Sequence, residues 1–462
     1  MGNKSIGIFL WWLGSLMLIL FLFWSCPTSL SSIYRMSYNV ICMQLFVFWA
    51  IWVFISSKRK IDILEPIVLL TIIHLALFEI TPIICLRTND FLWFGIDVWG
   101  GCVKATWIST IAYIVICLTY YNSYYEEDDK SIEIEMFRPN DCIILNYCIW
   151  ILAFLANAYL VITQGNSLMY MLTFGNEIGE IGSQSTSNME FLSVIAYAML
   201  PSYIYILHLS KSYIIRIVLY YLTVASFFIR GFRFIMVAII IAPFVFWYLK
   251  KGERPKFFMI LIMLIGLVVM IGVVGATRDN IRAGEGLTDS IFSAFSSEYL
   301  INILIDNFSI FKTYYGIVLN IPSNMPYTLG QQIILYTIIM FIPRAVWPNK
   351  PLPITRDVNS IAVSEYASSA GTAYPYIGEY YHEFGLIGVI ICSFILGRLL
   401  RKLKSIMYER NIHLIVLYSA IYPLIIQIII RGYTPSNFYM VLIVIIPIII
   451  TQYFDRRQES MT

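Results

Sequence analysis

The chain has 462 residues, of which 59% are hydrophobic and 13% charged, with 31 Lys and Arg against 28 Asp and Glu. Soluble domains carry about 25% charged residues, so this composition and a mean hydropathy of +0.75 exclude an ordinary soluble class. The net charge of +3 is too small to indicate a nucleic-acid partner, and only its distribution is informative.

Runs of apolar residues long enough to cross a ~30 Å hydrocarbon core as helices recur along the chain. Open sheet edges and loops exposed to lipid are ruled out, because each backbone polar group there needs an internal partner. Twelve spans are predicted: Ile6–Trp24, Val40–Ile55, Ile63–Leu86, Val103–Tyr121, Cys142–Ile162, Phe191–Leu209, Ile214–Ile229, Phe234–Leu249, Phe257–Gly275, Phe384–Leu400, Leu414–Ile430 and Asn437–Phe454. The first is expected to be a retained helix, since Phe23-Trp24-Ser25-Cys26 places bulky residues where signal cleavage needs small ones. Eight cysteines lie mostly in or beside spans and read as buried thiols. A bridge between Cys85 and Cys102 is the alternative.

Orientation follows from Lys and Arg in the short loops. Lys58-Arg59-Lys60, Lys211 with Arg216, Lys250-Lys251 with Arg254 and Lys256, Arg401-Lys402 with Lys404, and Arg456-Arg457 fall on one side. Taking that side as cytoplasmic puts both termini inside and a long central loop outside. The chain then divides into spans one to nine over 1–275, the outer loop over 276–382, and spans ten to twelve over 383–462. Two smaller loops stand out: an acidic inner one, Glu126 to Asp141, that reads as a solvated linker, and an outer one, Gln164 to Glu190, that is either a linker or a lid.

The central loop is not expected to be featureless. Leu300, Ile303, Leu304, Phe308, Phe311 and Tyr315 recur at helical spacing, with Asn302, Asp306 and Lys312 between them, which predicts an amphipathic helix. Thr328 to Phe341 is a second apolar run, too short to span and expected at the interface or re-entrant. Six Lys and Arg residues sit in this loop, on the side where basic residues are normally scarce.

The outer basic residues are Arg35, Arg87, Lys104, Arg230, Arg233, Arg278, Arg282, Lys312, Arg344, Lys350, Arg356 and Arg431, nine Arg to three Lys against nine to ten inside. Guanidinium grips phosphate through a planar fork, whereas lysine acts as a point charge. An arginine-rich outer face beside the bilayer therefore suits a lipid-borne phosphate. Arg35, Arg87 and Lys104 read as snorkelling side chains. Arg230-Gly231-Phe232-Arg233 forms a tight turn between two spans, and Arg431-Gly432 repeats the arrangement; each is a phosphate contact or a snorkelling cation. Arg278 and Arg282 share a face if their segment is helical. The glycines around them do not make a nucleotide-binding loop, since Gly-Lys-[Ser/Thr] is missing.

Glu379, His382 and Glu383 form the outer cluster best suited to proton transfer, because spacings of three and four put them on one helical face after Pro375. They are either an acceptor-activating set or polar residues at headgroup level. His382 is the one histidine placed outside, so no metal site is expected.

Gly231-Phe232-Arg233 opening a span, Ile342-Pro343-Arg344 with Trp347-Pro348-Asn349-Lys350-Pro351, and Gly378-Glu379-Tyr380 with Glu383-Phe384-Gly385-Leu386-Ile387-Gly388 resemble Wzy-type O-antigen and oligosaccharide repeat-unit polymerases. The resemblance covers mainly Gly231 to Leu400 and the overall topology. It implies a polytopic all-α fold of the GT-C-type membrane glycosyltransferase class, and metal-independent, cofactor-free transfer between undecaprenyl-pyrophosphate-linked glycans on the outer face of the bacterial inner membrane. A flippase and a chain-length regulator are the implied partners. The implied pyrophosphate-binding residues are Arg230, Arg233, Arg278, Arg282, Arg344 and Arg431, with Glu379, His382 or Glu383 activating the acceptor. The rival readings are an O-antigen ligase, a polysaccharide flippase or other transporter, and a non-catalytic assembly protein.

Overall fold

The computed structural model describes residues 3–93, 95–122, 140–164, 194–229, 233–256, 308–340, 373–409 and 411–459, with isolated positions between 258 and 267 and between 305 and 350. Apolar runs become helices wherever they are described: α1 Asn3–Trp24, α2 Ser32–Lys58, α3 Pro66–Leu75, α4 Thr81–Thr88, α5 Cys102–Tyr121, α6 Asn140–Gln164, α7 Met199–Leu209, α8 Tyr213–Ile229 and α9 Arg233–Lys251. After the central segment come α10 Phe311–Asn320, α11 Tyr376–Met407, α12 Ile412–Ile421, α13 Leu424–Ile430 and α14 Thr434–Glu459. Among the described residues, seven helical stretches are long and apolar enough to cross a membrane, and Trp11–Trp24 and Tyr213–Phe227 are shorter apolar helices. The chain is a polytopic α-helical membrane protein. Nine of the twelve expected spans fall on these stretches; the sixth and eighth fall on α7 and α9 where they are described, and the ninth, Phe257–Gly275, lies largely outside the described residues.

The third span shows how the sequence shapes its helix. A π turn, Ala76–Ile80, joins α3 to α4 just before Pro82. Proline has no N–H and its ring crowds the preceding turn, so a wider turn accommodates it. The Ala76 carbonyl accepts from both the Thr81 N–H and the Thr81 hydroxyl, the latter at 2.7 Å.

Polar side chains knit the spans where lipid gives them no other partner. Gln44 on α2 donates to Ser109 on α5 at 2.8 Å, and Tyr113 on α5 lies 2.8 Å from Thr71 on α3. Helices α5 and α11 pack closely enough that a Cβ on Gly397 would sit 2.9 Å from the Ile116 carbonyl oxygen. Only a glycine permits that approach.

Ion pairs sort the loops into two ends. Arg254 pairs with Asp62, Lys404 with Glu65 at 2.9 Å, and Lys250 meets His208 at 2.9 Å. These groups stand at the end where the basic loops were expected to gather. Residues 87–104, 308–340 and 373–383 and the 431–434 turn meet at the opposite end.

That opposite end departs from the expected picture in its detail. Among the described residues of the central segment, α10 is buried along Phe311–Val318 and is not two-faced. Lys312 is 2% exposed, pairs with Asp90 at 2.8 Å and donates to the Leu92 carbonyl at 3.1 Å. A buried ammonium is tolerable when such partners replace water, so α10 enters the core instead of lying across it. Arg87, expected to snorkel, donates to Tyr38 at 2.8 Å and to Ser25, tying the end of α1 to α2. Cys85 and Cys102 are free, buried thiols. The second apolar run forms a π turn, Gln331–Tyr336, continued by Thr337–Ile339, with Leu329, Ile334, Leu335 and Ile338 exposed.

Helix α11 is two helices joined at a break. Phe384 and Gly385 have non-helical backbone, with Gly385 at φ 62° and ψ −145°. Glycine adopts this conformation without steric cost, whereas a side chain there would also meet the Tyr327 hydroxyl at 2.9 Å. Gly385→Ala is expected to cost on the order of 1–3 kcal/mol and to lower the thermal unfolding midpoint of the detergent-purified protein. An unchanged midpoint would show that the break tolerates a Cβ.

Candidate functional site at the outer turn of α11

The first two turns of α11 carry Glu379, His382 and Glu383, all 1% exposed or less. Pro375 starts the helix from extended backbone, and the break at Phe384–Gly385 stops it. Helix ends leave carbonyls without partners. Here the His382 carbonyl accepts from Thr328 N–H at 3.1 Å and the Glu383 carbonyl from Leu329 N–H at 2.9 Å. The short helix 331–339 is thereby fastened to the break.

The two carboxylates do the reciprocal job. Glu383 accepts from the backbone N–H groups of Gly330 at 2.6 Å, Gln332 at 3.0 Å and Ile333 at 3.1 Å. These are the orphan donors at the start of helix 331–339, and the positive end of its dipole favours an anion there. Lys350, 5% exposed, completes the arrangement at the other end by donating to the carbonyls of Met340 at 2.7 Å and Ile342 at 3.2 Å. One turn earlier on α11, Glu379 accepts from Thr434 N–H at 2.8 and 3.0 Å and from the Thr434 hydroxyl at 2.7 Å. Thr434-Pro435 begins the last helix, α14, with proline where a missing N–H is harmless. Each glutamate therefore caps the start of a different helix.

His382 lies between them in sequence. Neither ring nitrogen has a hydrogen-bond partner among the described residues. Of the three, His382 alone has polar side-chain atoms without a partner among the described residues. Burial nevertheless pushes its imidazole pKa down to about 4 and that of the Glu379 carboxyl up to about 7, so Glu379 is the stronger proton acceptor.

Arg431 enters from α13, which it ends, three residues before Thr434. Its carbonyl accepts from the Asn437 amide at 3.2 Å, and Gly432 N–H donates to the Tyr374 carbonyl at 2.8 Å. Tyr433 has φ 66°, an uncommon conformation for a residue with a side chain. Its ring lies 6.1 Å from Tyr336, over which Lys350 sits at 5.1 Å. Arg233 is the first residue of α9, which packs on α12 and α13, so its backbone stands at the same end as Arg431. Arg230, Arg278, Arg282 and Arg344, and the side chain of Arg233, lie outside the described residues.

Of the nine sequence-derived candidates, Glu379, His382, Glu383 and Arg431 are thus brought to one place. Three participants were missed: Thr434, Lys350 as a helix C-terminal cation, and Gly330 with its neighbours as donors. Thr434-Pro435 is a recognisable helix start, but nothing local links it to Glu379, 55 residues away. Among the described residues, no group of three or more His, Cys, Asp or Glu is placed to hold a metal ion.

The many-spanning helical fold defines an integral membrane protein, with a buried cluster of two carboxylates and an imidazole at one end of its described helices. The sequence matches the family described as O-antigen polysaccharide polymerase Wzy over residues 13–457, and the chain belongs to that family. Neither the curated proteins nor the solved structures provide a match. Family membership makes it an O-antigen repeat-unit polymerase of the inner membrane, glycosyltransferase-like in its reaction and acting on lipid-linked oligosaccharides.

The cap formed by Glu383 can be tested on its own. Glu383→Ala leaves three buried N–H groups without an acceptor, each a loss on the order of 1–3 kcal/mol. Amide hydrogen exchange at Gln332 and Ile333 should accelerate strongly, and less so in Glu383→Gln, which keeps an acceptor oxygen. Equal exchange in all three proteins would contradict the cap.

Proposed function

We propose that the chain joins undecaprenyl-pyrophosphate-linked repeat units into a surface polysaccharide on the outer face of the bacterial inner membrane, with both termini cytoplasmic. The domain division over 1–275, 276–382 and 383–462 goes with that reading. The observation that carries the activity is the family match over nearly the whole chain. The observation that carries the site is the convergence of Glu379, His382, Glu383 and the Arg431 turn at one end of the bundle.

The reaction needs no external energy source, because the donor's glycosyl–pyrophosphate bond supplies it. An acceptor hydroxyl on one lipid-linked unit attacks the anomeric carbon of the growing glycan. The new C–O bond forms as the anomeric carbon–pyrophosphate bond breaks, and the hydroxyl proton passes to a base. Glu379, His382 and Glu383 are the candidate proton acceptors, with burial making Glu379 more basic and His382 less so. Negative charge growing on the departing pyrophosphate is met by preorganised guanidinium groups in place of a metal. Arg230, Arg233, Arg278 and Arg282 would serve one lipid, and Arg344 and Arg431 the other. A flippase would deliver the units and a chain-length regulator would share the outer face.

A transporter is the second reading. It would need ionisable residues facing a cavity near mid-membrane. His74 and Glu79, 3.7 Å apart, are both fully buried, and the imidazole packs among the rings of Phe48, Phe78 and Tyr113. This closed packing favours the polymerase over the transporter. A ligase shares donor and architecture and differs in acceptor.

A knockout read on a surface-glycan gel separates these readings. Single-repeat glycans are expected for a polymerase, unattached lipid-linked long chains for a ligase, and no external glycan for a flippase. In the complemented knockout, Arg233→Ala and Arg344→Ala should abolish polymer at unchanged protein level. Normal chain lengths in both would remove these arginines from the site.

A further inference from the structure

A cleft of about 690 Å³ opens on the side of the bundle between α5, the 322–327 turn and the membrane part of α11. Lys104 stands at its outer end as the one charged residue lining it. The ammonium lies 5.1 Å from the centre of the Tyr381 ring. Below it, Trp107, Ile108 and Ile111 follow at helical spacing on α5, an apolar stripe that descends about 10 Å from the cation at the helical rise. Leu386 faces them from the other wall, and Trp107 and Leu386 are exposed, 55% and 43%. The volume falls in the range of small-molecule sites.

The cleft also touches the candidate site. Tyr381 immediately precedes His382. Leu386 immediately follows the helix break. Tyr327 precedes Thr328, whose N–H holds the His382 carbonyl, and the Tyr327 and Tyr381 rings pack 6.0 Å apart. An anion beside Lys104 would therefore lie next to the outer turn of α11, with an apolar tail leaving along the stripe into the bilayer.

We propose that this cleft seats the pyrophosphate and first isoprene units of the lipid carrier of one glycan substrate, an assignment that rests on the polymerase reading above. A cation at the surface end, an apolar stripe beneath it and an open side toward the membrane match the three parts of a polyisoprenyl pyrophosphate: anion, chain and lateral entry. Lys104 thus joins the arginines as a carrier contact.

The test uses the full-length protein in vesicles of phosphatidylethanolamine and phosphatidylglycerol carrying a benzophenone-bearing polyisoprenyl pyrophosphate. Irradiation should label peptides containing Trp107, Ile111 or Leu386, and unlabelled undecaprenyl pyrophosphate should compete. Lys104→Gln should lower labelling at least about tenfold, the equivalent of 1.4 kcal/mol. Lys104→Arg should retain it. Ile111→Trp, which fills the stripe while leaving the cation, should also lower it. Labelling undiminished in Lys104→Gln, or competed equally well by added phosphatidylglycerol, would overturn the assignment and leave an ordinary anionic-lipid groove. Labelling is read without turnover, so the two failures differ. A wrong cleft loses carrier-specific labelling while the knockout still makes only single-repeat glycan; a wrong polymerase reading leaves polymer in the knockout.

Discussion

Two buried carboxylates one helical turn apart hold one end of this protein's helices together. Glu379 fastens the start of the last helix through Thr434, and Glu383 fastens the start of helix 331–339 through three backbone N–H groups. Both act from the outer turns of α11, which the break at Gly385 separates from the membrane-crossing part. Without those acceptors, two helix N-termini would be buried with orphan donors, an arrangement folded proteins avoid. The constraint also works in reverse: the two helices fastened to α11 hold the turn that carries His382 in place.

Within the spans, polar side chains pair across helices, as Gln44–Ser109 and Thr71–Tyr113 do. At the end formed by the first turns of α11, Glu379, Glu383 and Lys350 bond to the backbone of helix ends. Lys350 and Glu383 bracket helix 331–339 with charges that complement its dipole. Lys312 is neutralised by Asp90. Cations that look alike in the sequence therefore need not do the same job: Arg87, Lys312 and Lys350 are engaged in structure, whereas the proposed substrate contacts are Lys104 and the arginines of the proposed site.

The spans were legible because hydropathy is a local property: α9 begins at Arg233 and α2, α5 and α14 fall where apolar runs predicted helices. The grouping of Glu379, His382 and Glu383 was legible for the same reason, since helical spacing fixes a shared face. What escaped was everything set by partners distant in sequence. Lys312 looked like the polar face of an amphipathic helix because Asp90 lies 222 residues away. Glu383 looked like a free general base because its three donors belong to a segment 50 to 53 residues earlier. The break at Phe384–Gly385 had a local signal in its glycine, yet glycine is common in membrane helices, and only the contact with Tyr327 distinguishes this one.

The most direct measurement is reconstitution of the purified protein in vesicles with polyisoprenyl-pyrophosphate-linked repeat units as sole substrate. Glycan length and released polyisoprenyl pyrophosphate would be followed together. The account predicts that the protein alone lengthens the glycan and releases one carrier per linkage formed, and that Glu379→Ala loses both while remaining membrane-inserted. Undiminished elongation by Glu379→Ala would contradict the claim that the outer turn of α11 organises the active site.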